Sequence, residues 1–419
     1  MQKNHFVSKC SYRHNAGTIS IGNILEEGLL VLEKKLRKRK KTVVIIQRVL
    51  THYRIPFVEN LKCKLYSENI KLVFVYGQTK AKERERNDTV ELKWCKKIKN
   101  LYLPFGFVWQ PALKKIYGAD LIIVEQAHKL LLNYVLFLLR PLFKYKIAFW
   151  GHGYCHQQSK TSFSNRIKRR LLKKPDWWFA YTATVADWVI GNGVKKDTVT
   201  NVQNAIDTKT LKEYRSNISS CDIGKLKKKM KIPPDAFIGI FCGGMYKEKE
   251  LRFLVNASKK VVESIPEFQL LLIGNGPDSV IAKEAAKNKS YIHYLGAKFG
   301  KEKVLYFAAS DLFLLPGLVG LAVLDSFALG LPMVTTDYPY HSPEISYLKH
   351  GHNGIITRFD IQSFSNAIVD LLNDTAKRKR ITRNAIYDGK KYTIEAMTEN
   401  FASGIIKALD KNENIVTTQ

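Results

Sequence analysis

Short apolar runs alternate with helix-patterned stretches in this chain, in two successive series, and that alternation constrains the fold more than any other feature. In the first series the runs are 42–46, 72–76, 121–124, 147–150, 177–181 and 199–202; in the second they are 238–242, 269–273, 291–295, 312–315 and 333–335. A strand buried on both faces reads as a continuous apolar run, and parallel neighbours need a crossover between them. Each series therefore predicts a parallel sheet wound from βαβ units. The expected class is α/β, with two doubly wound, Rossmann-like domains facing a central cleft. A length of 419 residues exceeds one ordinary core and agrees with two. The expected organisation is a basic N-terminal extension over 1–41, a first domain over 42–207, a second domain over 236–392, and a C-terminal helix and tail over 393–419. The helix is expected to pack back on the first domain. Between the domains, 208–235 is polar and weakly periodic, with Lys225 to Lys231 and Pro233-Pro234, and reads as a linker.

Charge is unevenly placed. Of a net +31, residues 1–200 carry 38 Lys and Arg against 14 Asp and Glu, which points to a polyanionic partner, either a nucleic acid or an anionic membrane surface, or else to a merely soluble basic protein. The run 130–143 (LLLNYVLFLLRPLF) is too short to span a bilayer and is interrupted by Arg140-Pro141, so it reads as a buried or interfacial helix. In 166–174 (RIKRRLLKK) basic and aliphatic residues interleave as in a basic amphipathic helix. Neither an aromatic RNA-binding strand nor paired Cys/His is present, which favours the membrane over nucleic acid. The first 28 residues lack the apolar core of a signal peptide, and Lys34 to Lys41 is a charge run, so a cytoplasmic protein lying peripherally on the inner face of the plasma membrane is expected. Cys10, Cys63, Cys95, Cys155, Cys221 and Cys242 show neither C-x-x-C nor metal-ligand spacing and read as free thiols.

Candidate site residues fall at the expected strand ends. After 312–315 come Pro316, Gly317, Leu318, Val319, Gly320 and Leu321, then a short helix carrying Asp325. Glycine-bearing backbone at a helix start suits a phosphate, and Asp325 is placed to reach a ribose hydroxyl, although a plain βαβ crossover would carry the same loop. Gly243-Gly244 with Lys249, and Gly274 with Gly276, end two further strands and can hold a diphosphate; glycine turns also merely end strands. His152 stands between Gly151 and Gly153 at another strand end, where it either meets a ligand or satisfies a structural hydrogen bond. Tyr53 and Arg54 follow the first strand and read as acceptor or phosphate contacts, with Pro56 opening a helix. There is no D-x-D triplet, so no metal site is expected.

The order of these pieces resembles the retaining, GT-B-type glycosyltransferases of the "glycosyl transferases group 1" family. The likeness is strongest over 199–357. It rests on Val202-Gln203-Asn204-Ala205-Ile206-Asp207, Phe241-Cys242-Gly243-Gly244 with Lys249-Glu250, the turn from Ile273 to Pro277, Ala309 to Gly317, Pro343-Glu344-Ile345, and Gly351-His352-Asn353-Gly354. The resemblance implies a hexosyltransferase-like, metal-independent enzyme without a cofactor, moving a sugar with retention from a UDP- or GDP-linked donor to a hydroxyl. It further implies a lipid-linked oligosaccharide acceptor in bacterial surface polysaccharide synthesis (capsule, O-antigen or exopolysaccharide). His152 matches the family's strand-end histidine. The family's paired-carboxylate motif maps onto Gly317 to Asp325, so its first Glu is Gly317 here and its second is the shorter Asp325; its phosphate-contacting Arg falls on Gly244. These departures leave open a nucleotide-sugar-binding protein with weakened catalysis, and the charge leaves open a nucleic-acid-binding protein.

Overall fold

The structure is a computed structural model, and it describes residues 40–80, 90–153 and 170–411. Most of the expected basic extension, Arg166, Lys168 and Arg169 of the expected basic helix, and Cys10 and Cys155 lie outside the described residues. The other four cysteines are free thiols.

The first sheet contains β1 (Lys41–Gln47), β2 (Ile70–Gly77) and β3 (Lys96–Ile98). After a small antiparallel hairpin, β4 (Leu101–Tyr102) and β5 (Val108–Trp109), it continues with β6 (Leu121–Glu125), β7 (Lys146–Gly151), β8 (Trp177–Ala180) and β9 (Val199–Asn201). Its order is β3-β2-β1-β6-β7-β8-β9, with every pairing parallel. The second sheet is built from β10 (Ile238–Cys242), β11 (Gln269–Ile273), β12 (Ile292–Gly296), β13 (Leu312–Leu314), β14 (Met333–Thr336) and β15 (Gly354–Thr357). It is also all parallel, in the order β12-β11-β10-β13-β14-β15. The eleven expected strands are present, with ends within two residues of expectation. The strands that were not expected are short or polar, as Lys96-Lys97-Ile98 illustrates, and carry little apolar signal.

Alternation along β1 divides the core. Val43 and Ile45 point to one layer, whose helices are α1 (Ile55–Ser67) and the C-terminal Ile394–Asp410; Val44 and Ile46 point to the other, formed by α2 (Leu131–Phe143), α3 (Ala183–Gly191) and residues 112–119. Pro56 sits in the first turn of α1, where its missing N–H costs nothing. Phe401 of the C-terminal helix stacks on Phe179 at 4.2 Å and meets Trp150 and Phe57 edge-on, and Lys146 Nζ donates to the carbonyls of Ala408 and Leu409 at that helix's end. The last helix of the chain thus closes the first sheet.

The stretch expected as a linker differs from expectation. It carries two helices, α4 (Thr208–Ser216) and α5 (Ser220–Lys229). Asp207 caps α4 by accepting from Thr210 N at 3.0 Å, and Ser219 with Asp222 forms a capping box on α5. Each buries only a narrow stripe, represented by Leu211 and Leu226, so polar residues dominate the local composition and hide the period. The helices that follow are α6 (Leu251–Ser264), α7 (Ser279–Asn288), α8 (Gly300–Ala308), α9 (Ala322–Leu329), α10 (Ile361–Asn373), α11 (Thr375–Gly389) and α12, the Ile394–Asp410 helix. Helix α4 lies against α8 and α9, on the second sheet's side.

In both sheets the strand order reverses once, between β1 and β6 and between β10 and β13. Ligands of doubly wound folds bind at the carboxyl ends of strands beside such switch points. Four loops are singled out by topology: those after β1, β6, β10 and β13.

Candidate active site

A cleft of about 700 Å³ lies where these strand ends meet, lined by His52, Tyr53, Arg54, His152 and Tyr181 on one side. Facing them are Gly243, Gly244, Lys249, Gly274, Lys303, Leu318, Gly320, Leu321, Asp325 and Glu344, with Asn204 and Asp207 at the crossing between sheets. The size suits a nucleotide-sized ligand. Most of the residues expected from sequence are gathered here. Gly276, Gly317 and Val319 are not among the lining residues.

Two of those exceptions have steric causes. At Gly276, where φ is +146°, a Cβ would stand 2.3 Å from the Met245 carbonyl oxygen, so this glycine lets the turn after β11 interlock with the one after β10. At Gly317 a Cβ would stand 2.2 Å from the Glu248 carbonyl oxygen and 2.7 Å from the Lys249 carbonyl carbon. The loop after β13 is pressed against the backbone of 248–249, and no side chain fits there.

Two of the 317–321 amides expected to meet a phosphate already have acceptors. Leu318 N donates to Glu248 O at 2.7 Å and Val319 N donates to His341 Nδ1 at 2.9 Å, so neither is available to a ligand. Gly320 and Leu321, immediately before α9, line the cleft and their N–H groups have no acceptor among the described residues. They carry the positive end of the α9 dipole.

Beside them is Lys249, held on a short 3-10 turn (Lys247–Lys249) and 6% exposed. Its ammonium donates to Leu318 O and lies 5.6 Å from the Tyr246 ring centre. Burial lowers its pKa from 10.5 to about 8. The other cleft-lining cations have carboxylate company: Lys298 pairs with Glu302 at 2.6 Å, Lys303 pairs with Asp325 at 2.8 Å, and Arg54 reaches Glu344 through Asn204. Lys249 has neither an ion pair nor a bridged carboxylate among the described residues. A buried cation without a counterion is costly, and an anionic ligand would complete it.

Asp325 sits in the first turn of α9, 9% exposed. Burial opposes the charge on its partner Lys303, but the Asp325 carboxylate together with Cys242 more than offsets it and the lysine's pKa lies above its ordinary value. Across the cleft the Arg54 guanidinium donates to Asn204 Oδ1 at 2.6 Å and lies 4.9, 5.2 and 5.7 Å from the rings of Trp150, Tyr53 and Tyr181. Asn204 Nδ2 donates in turn to Glu344 Oε1. His152 follows β7, its ring 4.3 Å from that of Tyr181. The residue is exposed where it lines the cleft. Desolvation lowers its pKa, the Glu344 carboxylate pulls the other way, and Arg54 adds to the lowering. The imidazole is therefore neutral at pH 7 and able to donate or accept one proton.

Sequence reasoning missed Tyr181, Asn204, Lys303 and Glu344. Asn204 and Glu344 stand inside motif pieces that were recognised but given no chemical role. Lys303 follows Lys301-Glu302, which reads like any solvated helix face. Among the described residues there is no group of three or more His, Cys, Asp or Glu able to hold a metal.

Residues 236–374 match the family described as "Glycosyl transferases group 1". The chain is similar to alpha-monoglucosyldiacylglycerol synthase of Acholeplasma laidlawii, 25% identical over 205 residues, 48% of this chain and 50% of that one. It is also similar to phosphatidyl-myo-inositol mannosyltransferase of Mycobacterium leprae, 24% identical over 143 residues, 33% of this chain and 38% of that one. Matches to these curated relatives span half of their length or less. Among solved structures, a glycosyltransferase from Rickettsia africae superposes with a TM-score of 0.65 at 16% identity, covering 89% of this chain and 100% of that one. HepE of Anabaena, solved with UDP and glucose, gives a TM-score of 0.64 at 15% identity over 87% of this chain and 99% of that one. The architecture is GT-B.

Proposed function

Because residues 236–374 match the glycosyl transferases group 1 family, we propose that this chain is a glycosyltransferase of that kind and moves a sugar, with retention, from a UDP- or GDP-linked donor to a hydroxyl acceptor. The acceptor class we assign is a lipid-linked oligosaccharide of a bacterial surface polysaccharide, reached by a protein lying on the cytoplasmic side of an anionic membrane. The single observation that carries the donor reading is Lys249, a buried ammonium without a carboxylate partner, set beside two open amides at the switch point of the second sheet.

In this reading the bond between the anomeric carbon and the diphosphate oxygen breaks, and its electron pair leaves on the nucleoside diphosphate. The acceptor hydroxyl oxygen bonds to the same carbon on the same face, and its proton passes to the departing diphosphate oxygen. Charge therefore grows on phosphate, and fixed donors aimed there stabilise the transition state more than the ground state. Lys249 and the Gly320 and Leu321 amides occupy that place. Asp325 takes the ribose hydroxyls, and the neutral His152 and Arg54 face the sugar and acceptor. The diphosphate charge is met by these protein groups, with no divalent ion and no cofactor required.

A second reading, donor binding without transfer, is favoured by Gly317, where the packing leaves no room for the carboxylate that the family places there. Mass spectrometry of products from a panel of UDP- and GDP-sugars with a lipid-linked acceptor, in EDTA, separates the two. One sugar added to the acceptor supports transfer; nucleotide-sugar binding with neither transfer nor hydrolysis supports the second reading. Absence of binding to any nucleotide sugar overturns both.

A further inference from the structure

The first sheet's second layer exposes an apolar surface that the proposed chemistry does not use. Helix α2 buries Leu132, Asn133 and Leu136 against the sheet, but its opposite stripe is also apolar: Leu138 and Leu142 are 77% and 75% exposed, and Phe143 is 55% exposed. Beside its start is the β4–β5 hairpin, joined through Val108 N donating to Lys129 O at 2.9 Å. The hairpin tip is Pro104-Phe105-Gly106. Phe105 is 88% exposed and has φ +56°, a left-handed conformation that bulky residues rarely adopt. Leu101 and Leu103 of the same hairpin are exposed as well. Residues 112–119 share the buried core of α2 and display Tyr117 outward.

Charge around this surface is predominantly positive, Asp176, paired with Arg140 of α2 at 2.6 Å, being the acidic exception. Residues 92–119, 126–153 and 170–175 contain thirteen Lys and Arg and no Asp or Glu. Lys114, Lys115, Lys129 and Lys144 stand exposed in the same segments, with no ion pair among the described residues. Large apolar side chains ringed by unpaired cations match the two layers of an anionic bilayer, acyl chains below and phosphates above. A second copy of the chain would bring the same positive field against itself, and a nucleic acid would leave the aliphatic stripe without a partner. The hairpin also overhangs the cleft-side strand ends: Tyr102 OH donates to Gln78 O at 2.6 Å, just beyond β2, and accepts from Arg48 Nη1 at 3.3 Å, just beyond β1.

We propose that this face, α2 with the β4–β5 hairpin, is where the protein lies on an anionic membrane, Phe105, Leu138 and Leu142 entering the acyl boundary and the neighbouring lysines meeting headgroup phosphates. It deepens the reading of the acceptor as lipid-held and rests on that reading only for its purpose: the hairpin would set the cleft rim at the bilayer surface.

The test is sedimentation of the full chain with vesicles of phosphatidylglycerol and phosphatidylcholine, against phosphatidylcholine alone. We expect Phe105→Ser/Leu138→Ser/Leu142→Ser to lower partitioning onto the anionic vesicles by about a hundredfold, from the apolar area withdrawn. Replacing Lys114, Lys115, Lys129 and Lys144 with Gln should remove the preference for anionic lipid. Both variants should retain nucleoside diphosphate binding, which reports that they are folded. Equal partitioning of wild type and the triple variant, or no partitioning of the wild type, overturns the proposal. So does a wild-type dimer in light scattering that the triple variant converts to monomer. Loss of nucleotide binding in the wild type would sink the donor reading and leave the vesicle result standing.

Discussion

Replacing Lys249 with Met separates what this lysine does for the fold from what it does for a ligand. Burial lowers its pKa from 10.5 to about 8, and at about 1.4 kcal/mol per unit this corresponds to about 3 kcal/mol of cost to the unliganded protein. Below pH 8 the lysine is charged in both folded and unfolded states and the cost is full. Between pH 8 and 10.5 the unfolded chain holds the proton that the folded one has released, so stability rises with pH across that window. Met fills a similar volume without charge. It forfeits the bond to the Leu318 carbonyl, about 1 kcal/mol, so Lys249→Met should be more stable than wild type by about 1–2 kcal/mol in denaturant titrations at pH 7. The same change should weaken nucleoside diphosphate binding by about 1.5–3 kcal/mol, the range for a hydrogen bond to a charged group, or about 10- to 150-fold in calorimetry. Wild-type affinity should also fall as pH rises through about 8, and the variant should not show that slope. A variant that is less stable than wild type and binds the nucleotide within twofold would refute the argument.

Asp325→Asn keeps the shape beside Lys303, and a 2′,3′-dideoxy nucleoside diphosphate should bind wild type about tenfold more weakly than the ribonucleotide but bind the variant no differently; equal discrimination by both proteins would remove Asp325 from the ribose site. His152→Ala should lower turnover by about a hundredfold while nucleotide affinity stays within threefold, because in the proposed arrangement the ring meets the sugar rather than the phosphates; parallel loss of both would make the residue structural. The low pKa of His152 places any acid limb of the pH–rate profile that it causes below the ordinary imidazole range, where protonation removes the acceptor nitrogen. Gly317→Ala should cost about 1–3 kcal/mol of stability, since its Cβ overlaps the Glu248 carbonyl. Gly317→Glu should not raise turnover, and an active, stable Gly317→Glu protein would show that the loop has room after all.

Legibility of the sequence followed the strength of the apolar signal. Strands such as Ile238–Cys242 and Gln269–Ile273 are buried on both faces and were read to the residue. Helices α4 and α5 were not, because each buries so little that its lysines and acids set the local pattern. In the site, the strand-end positions of Gly243, Lys249, Asp325 and His152 could be read because topology places strand ends at the cleft. Which loop amides remain free could not. That depends on Glu248 and His341, distant in sequence, reaching Leu318 and Val319 first. The chain Arg54–Asn204–Glu344 joins residues 150 and 140 positions apart, and no local pattern announces such a pairing. The apolar run 130–143 was read as buried or interfacial; the structure gives it one buried stripe and one exposed.

The central claim is that the second sheet's switch point holds a nucleoside diphosphate, and a crystal structure with UDP or GDP bound tests it most directly. The account predicts a β-phosphate within hydrogen-bond distance of Lys249 Nζ and of the Gly320 and Leu321 amides, with the ribose hydroxyls on Asp325. A nucleotide bound elsewhere, or one whose phosphates leave Lys249 Nζ still bonded only to the Leu318 carbonyl, would contradict it.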